Sequence, residues 1–385
     1  MDFTFTEEQQ AAVEAAKAVF SGVAPDGVPS PALTPGAVAE EFDRPLWAKL
    51  ADTDLLSLVL SPDHGGAGLN PIALCLVLRE SAKVLARVPL LETSAVAMAV
   101  ERYGRPELSD EILPRIGRGE LVLTVGANGR TGHDPAELAV TARPDSEHRD
   151  GWVLEGVQTG VPWAQCADRI AVPAHTDDGR AVFALVPRNR EGIALAEQIS
   201  TSGERFAEVS LDSVRIDSSE LIDAEGAWDW LRQLLAIGTC ALALGLGEGV
   251  LSMTSAYTGK REQFGFPVAT FQAVAVQAAD RYIDLRAMEA TLWQAAWRLA
   301  PSPRDPGVGG PLPVAGDVAV AKIWASEGVR RVVQTAQHLH GGFGADTDYP
   351  LHRYHAWAKQ LELSLGPAAA HEEALGDLLA AHPLG

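Results

Sequence analysis

HLHGGFG, residues 338–344, places two histidines one residue apart ahead of a glycine pair, a phenylalanine and a third glycine. Three kinds of chemistry use such residues: imidazole ligation of a metal, backbone N–H donation to a phosphate, or a helix stop. His338, His340, His352 and His355 fall in one region. But His338 and His340 project to different sides of a helix end, and no thiol or carboxylate completes a ligand set, so no metal site is expected. REQFGFPVATFQ, residues 261–272, is a second corner. Arg261 ends one long helix, Phe264 and Gly265 make a turn, Pro267 starts the next helix, and Gln272 lies about one turn into it. An arginine, two polar side chains and an aromatic at such a corner could hold a pyrophosphate and an adenine. A helix cap with a solvated arginine fits the corner equally well. GLGEG, residues 245–249, has no strand before it and lies inside a helical pattern, which favours close helix packing over a dinucleotide loop. No GxSxG elbow supports serine nucleophile chemistry.

The elements that must position these residues come in three phases. Residues 1–118 read as helices, with Thr6 a candidate N-cap and a break at PDHGGAGLNP, 62–71, before an apolar helix from about Pro71. Residues 119–226 change to short β-branched runs such as LVLTVG, WVLEGVQTGV and RAVFALVP, separated by Gly, Asp and Pro. Residues 227–385 return to long helices, interrupted by a Pro/Gly-rich loop at 301–317. The expectation is an α+β chain with an N-terminal helical domain (1–118), a middle antiparallel β domain of sandwich or barrel form (119–226), and a C-terminal four-helix bundle (227–385).

Composition bounds the partners. The chain has 385 residues, 47% hydrophobic, with a net charge of −20. Such an acidic chain lacks the basic face a nucleic-acid binder needs. Three scattered cysteines exclude a disulfide framework or a CxxC metal site. The acidic N-terminus has no signal-peptide core, and no run is expected to reach membrane-spanning length, so a cytoplasmic protein with no membrane partner is predicted.

Taken together, REQFGFPVATFQ and, some seventy residues later, HLHGGFGADTDYPLHRYHAWAK resemble the acyl-CoA dehydrogenase family, and PDHGGAG resembles its N-terminal pattern. The helix–strand–helix order is similar as well, over essentially the whole chain. The resemblance implies FAD-dependent oxidation of acyl-CoA thioesters to 2,3-enoyl-CoA. A glutamate would take the α-proton and the β-hydride would pass to the flavin. It also implies an FAD shared between neighbouring subunits, commonly in dimers of dimers, and electron-transfer flavoprotein as an electron acceptor. Arg261, Gln263, Phe264 and Gln272 fall on the family's adenosine-binding corner, and Gly341 and Gly342 on its Gly-Gly loop. His338 stands where the family usually has glutamine, and its ring offers fewer hydrogen bonds than an amide.

The flavin half departs from the family. VGANGRTGHDP, 125–135, lacks the Thr-Glu and Ser-Asp of the usual stretch, and Gly160, Val161 and Pro162 replace Trp-Ile-Thr, with Trp163 beside them. Proline supplies neither a hydroxyl nor an N–H. The two base positions implied by the resemblance, 24 residues after Gly341 and 26 before Arg261, are Leu365 and Leu235. Leucine accepts no proton. Glu362, Glu372 and Glu373 lie nearby, and solvated helix faces explain them best. No catalytic residue is therefore assigned.

Two functions follow. In the first, the chain is the non-catalytic subunit of a heterotetramer, lending its adenosine-binding half to a homologous acyl-CoA dehydrogenase partner. This is similar to the unequal subunits of actinobacterial steroid-degrading enzymes and implies fatty acid or steroid side-chain metabolism. In the second, it is a self-sufficient FAD enzyme with altered chemistry and a different base.

Overall fold

The protein is described here from a computed structural model covering residues 4–25, 34–132, 137–300 and 312–383. Part of the loop at 125–135 and most of the Pro/Gly-rich loop at 301–317 lie outside the described residues. Among the described residues five helices come first: α1 (Glu7–Phe20), α2 (Arg44–Asp52), α3 (Pro71–Ala82), α4 (Leu90–Tyr103) and α5 (Pro106–Gly117). Local chemistry sets their starts. Thr6 and Gln9 form a reciprocal capping box, and the Asp43 and Asn70 side chains accept from Leu46 N and Ile72 N. In PDHGGAG, a Cβ on Gly66 would lie 2.1 Å from the Leu60 carbonyl oxygen, so only glycine fits there. His64 ties this loop to the helices above it through Glu101 (2.7 Å) and Asp110 (3.3 Å).

Eight strands follow among the described residues: β1 (Leu123–Val125), β2 (Val140–Pro144), β3 (Gly151–Pro162), β4 (Arg169–Thr176), β5 (Ala181–Pro187), β6 (Ile193–Ile199), β7 (Arg205–Asp217) and β8 (Leu221–Ile222). They make one sheet in the order β6-β7-β3-β2-β4-β5-β8, with β1 beside β4. The all-antiparallel expectation needs correcting, because β1 and β2 both pair with β4 in parallel. Strands alternate in direction along the chain. When β4 docks on the far side of β2 instead of beside β3, it runs the same way as β2. β6 has no counterpart among the strand runs read from sequence. It is an edge strand exposed along much of its length, so it lacks clear apolar alternation. The sheet encloses its own apolar core around Leu154, Val172, Val186 and Val209.

The C-terminal third holds α6 (Ala227–Lys260), a hairpin of β9 (Glu262–Gln263) and β10 (Phe266–Pro267), then α7 (Gln272–Leu299), α8 (Val314–His340), α9 (Leu351–Leu363) and α10 (Ala368–Ala381). One apolar core runs through both helical regions. The GLGEG stretch lies within α6 and packs against neighbouring helices. A Cβ on Gly245 would lie 1.9 Å from the Arg79 carbonyl oxygen, and one on Gly247 2.7 Å from Leu285 Cδ2. Contrary to the sequence reading, α6 is long and apolar enough to cross a bilayer by length and composition. Yet 78% of its most apolar window is buried within the protein, as suits a core helix.

Candidate functional site: an exposed corner and a narrow cavity

The ends of α6 and α8 meet. Tyr257, one turn before Arg261, stacks on His340 (ring centroids 4.4 Å apart) and on Phe343 (5.3 Å). The two motifs picked out by sequence therefore lie at one end of the helical bundle. His340 is buried, its Nδ1 2.8 Å from the Ala336 carbonyl oxygen and its Nε2 3.0 Å from the Tyr349 hydroxyl. This arrangement puts the proton on Nδ1 and leaves Nε2 to accept. Desolvation lowers the His340 pKa, against the raising effect of the bond to Ala336. His338 is exposed, and His352 Nε2 faces the Thr347 carbonyl oxygen instead, so His338, His340 and His352 do not converge on one point.

At the other motif the structure corrects the sequence reading. Pro267 closes a hairpin and does not open the helix. Phe264 (φ 54°) and Gly265 (φ 79°) both take the left-handed conformation that a two-residue hairpin turn of this kind requires. α7 then begins at Gln272 itself. Phe264 projects into solvent at 91% exposure, edge-on to Phe271. Arg261 and Gln272 are exposed, and neither side chain makes a hydrogen bond or ion pair among the described residues, whereas Gln263 donates to the Glu262 carbonyl. The glycine pair ends α8: Gly341 adopts φ 60°, and its N–H reaches the Gln337 and His338 carbonyls. A Cβ on Gly342 would meet nothing within 4 Å, so packing within this chain does not demand that glycine. This corner therefore presents an unpaired guanidinium, amides, an aromatic ring and open backbone, a donor set suited to a pyrophosphate and an adenine.

None of these residues lines the central cavity. That cavity lies among α3, α4, α6, α9 and the turn after β3. Leu235, from α6, and Leu365, after α9, both face it, as do Pro162 and Trp163. The two base positions implied by the resemblance thus converge in space although they lie 130 residues apart in the chain. Glu362 pairs with Lys359 at 2.6 Å, and Glu372 and Glu373 are exposed on α10. None of the three reaches the cavity wall.

The cavity measures about 130 Å³, well below the roughly 300–1,000 Å³ of ordinary ligand pockets. Its wall is held from several sides. The Thr124 hydroxyl donates to the Pro162 carbonyl at 2.5 Å. Trp163 sits at φ 57°, packed edge-on to Phe42. Leu365 is also left-handed (φ 58°), and its carbonyl lies 2.9 Å from His371 Nε2. The residues present do not fit a flavin ring here. Sequence reasoning missed one ionisable group on the wall, Glu92 of α4. Burial raises its pKa to about 7, against the opposing pull of its own backbone N–H and the Trp163 indole N–H. The available signal was a carboxylate inside the apolar run LLETSAVAMAV.

A three-part chain of helices, sheet and long helices, with this corner and this pocket, defines an acyl-CoA dehydrogenase fold. Family models described as the acyl-CoA dehydrogenase N-terminal domain and C-terminal domain match residues 6–120 and 233–379. The chain belongs to the acyl-CoA dehydrogenase family. It is 36% identical to the acyl-CoA dehydrogenase FadE27 of Mycobacterium tuberculosis over the full length of both. It is similar in structure to the ChsE4–ChsE5 complex from M. tuberculosis (TM-score 0.88, 35% identity, all of both chains). It is also similar to a chain of a variant of the Tcur3481–Tcur3483 steroid acyl-CoA dehydrogenase (TM-score 0.86, 35% identity, 97% of this chain and 98% of that one).

Proposed function

We propose that this chain is the non-catalytic subunit of a heteromeric acyl-CoA dehydrogenase. In this reading it lends Arg261, Gln263, Phe264, Gln272, His338 and the Gly341–Gly342 loop to the adenosine half of an FAD whose flavin ring lies in a homologous partner. The single observation that carries the reading is the split in the chain. The adenosine-type corner is open and unpaired at the surface, while its own pocket is narrow, about 130 Å³, and lined by Leu235, Leu365 and Pro162. Exposed Phe266, Val276, Tyr282 and Ile283 beside the corner give an apolar face of the kind a partner subunit covers. Two of the structural relatives are, by their own descriptions, two-component assemblies, and one of those is a steroid enzyme. A heterotetramer acting in the cytoplasm on a steroid or fatty acyl-CoA, with electron-transfer flavoprotein as acceptor, extends the same reading.

In this assembly the bound FAD supplies the hydride acceptor. This chain's part is binding: the Arg261 guanidinium offers bidentate donors to phosphate oxygens, Phe264 a stacking surface, and the α8 terminus open backbone. It takes no proton from the substrate, because both base positions are leucine.

The second reading, a self-sufficient flavoenzyme, gains one supporting feature in Glu92, a carboxyl on the wall of the pocket that lost its base. The test is co-expression with a homologous partner subunit, followed by visible absorption. A flavin spectrum that appears only in the complex supports the first reading. A yellow homo-oligomer of this chain alone, with one flavin per chain, refutes it.

A further inference from the structure

The proposed assembly leaves the narrow pocket of this chain without a task, yet its wall is not inert. Most of it is apolar, through Leu91, Leu235, Leu365 and the rings of Trp163 and Trp357. Among the polar side chains that interrupt that wall, two offer hydrogen-bonding groups of interest. One is the Glu92 carboxyl, which shares the wall with the Trp163 indole. The other is Gln360, whose Oε1 accepts from the Ser202 hydroxyl at 2.5 Å. Its amide N–H2 group makes no hydrogen bond among the described residues. The volume of about 130 Å³ is close to that of an engineered apolar cavity of roughly 150 Å³ that holds benzene.

We propose that this cavity binds a small, neutral ring compound carrying one carbonyl oxygen, with the Glu92 carboxyl and the Gln360 amide as hydrogen-bond donors. The apolar wall excludes a charged ligand, and an acceptor-only ligand uses donors that the chain itself leaves over. The proposal goes beyond the subunit role above and does not depend on it.

Glu92 donates only when protonated. Its raised pKa of about 7 makes that form abundant near neutrality, and no other charged group contributes to the shift. The other ionisable residues on the wall have partners of their own. Glu204 is held by Arg87 at 2.7 Å. Arg205 pairs with Glu197 at 2.8 Å and donates to the Ala39 carbonyl.

The probe is cyclohexanone, titrated into the full-length protein in the assembly in which it purifies. The readout is the ¹⁵N-labelled Trp163 indole resonance, identified with Trp163→Phe. The expected result is a saturable shift that is about tenfold weaker at pH 8 than at pH 6, following the neutral fraction of a group of pKa near 7. Glu92→Gln keeps a donor and should bind equally at both pH values, whereas Glu92→Leu should lose at least about tenfold. Any of four results would overturn the proposal. These are no saturable shift in the wild type, equal affinity in Glu92→Leu, an unchanged pH dependence in Glu92→Gln, or a flavin found to fill the pocket.

Discussion

Replacing Arg261 by alanine separates the corner's two roles, because the fold does not use its guanidinium. The Arg261 backbone N–H bonds to the Tyr257 carbonyl at 2.8 Å and survives the substitution. The side chain is exposed and makes no bond among the described residues, so stability should change by no more than about 0.5 kcal/mol. If the guanidinium grips phosphate oxygens of the partner's FAD, a charge-assisted bond worth roughly 1.5–3 kcal/mol is lost. That converts to about 10- to 150-fold weaker FAD binding. The assay is flavin content per complex, with apo-complex titration by FAD and the assembly followed by size exclusion. Arg261→Lys keeps the charge but not the planar fork and should fall between wild type and alanine. Wild-type FAD affinity in the Arg261→Ala complex would refute the reasoning. So would loss of flavin caused only by dissociation of the subunits.

Three further outcomes follow from contacts within the chain. Gly245→Ala places a methyl group 1.9 Å from backbone at Arg79 and should destabilise by about 3 kcal/mol or more, whereas Gly376→Ala, on the open face of α10, should stabilise by up to about 1 kcal/mol; denaturant midpoints decide both. Burial alone would lower the His64 pKa, but Glu101 and Asp110 outweigh it and raise it above its ordinary 6.5. The stability it contributes is therefore full below about pH 6.5 and lost as pH rises through the folded-state value. The difference in unfolding free energy between wild type and His64→Gln should shrink over that window, and a constant difference would count against the pairing. Leu365→Glu should give no thioester oxidation when the chain is assayed alone with added FAD, because the cavity has no room for a flavin; flavin bleaching by any acyl-CoA would contradict this.

Much of this architecture was legible because it rests on local rules. Thr6 and Gln9 announce α1, Asn70 and Pro71 announce α3, and the apolar spacing of α6, α7 and α8 is visible over long windows. The parallel pairing of β2 with β4 was not legible, since it depends on which side of β2 a later strand docks. α9 was hidden in the motif LHRYHAWAKQLEL, where histidines and aromatics draw attention away from its helical spacing.

The candidate site divides along the same line. The corner at 261–272 is contiguous in sequence, and only its internal geometry needed correction. The cavity is assembled from widely separated segments, so Leu235 and Leu365 could be named only through the family resemblance, and Glu92 not at all. The first turn of α4 brings Glu92 to that pocket and a left-handed turn brings Trp163, and neither placement marks itself in the sequence. His338 and His340 show the same limit at closer range. They are two residues apart and equally conspicuous as letters. Yet only His340 turns inward, onto Tyr257 and Tyr349, while His338 stays exposed at the surface. A helix turns about 100° per residue, so two residues set the rings on opposite sides. The buried ring packs the bundle's end, and His338 stays outside that packing.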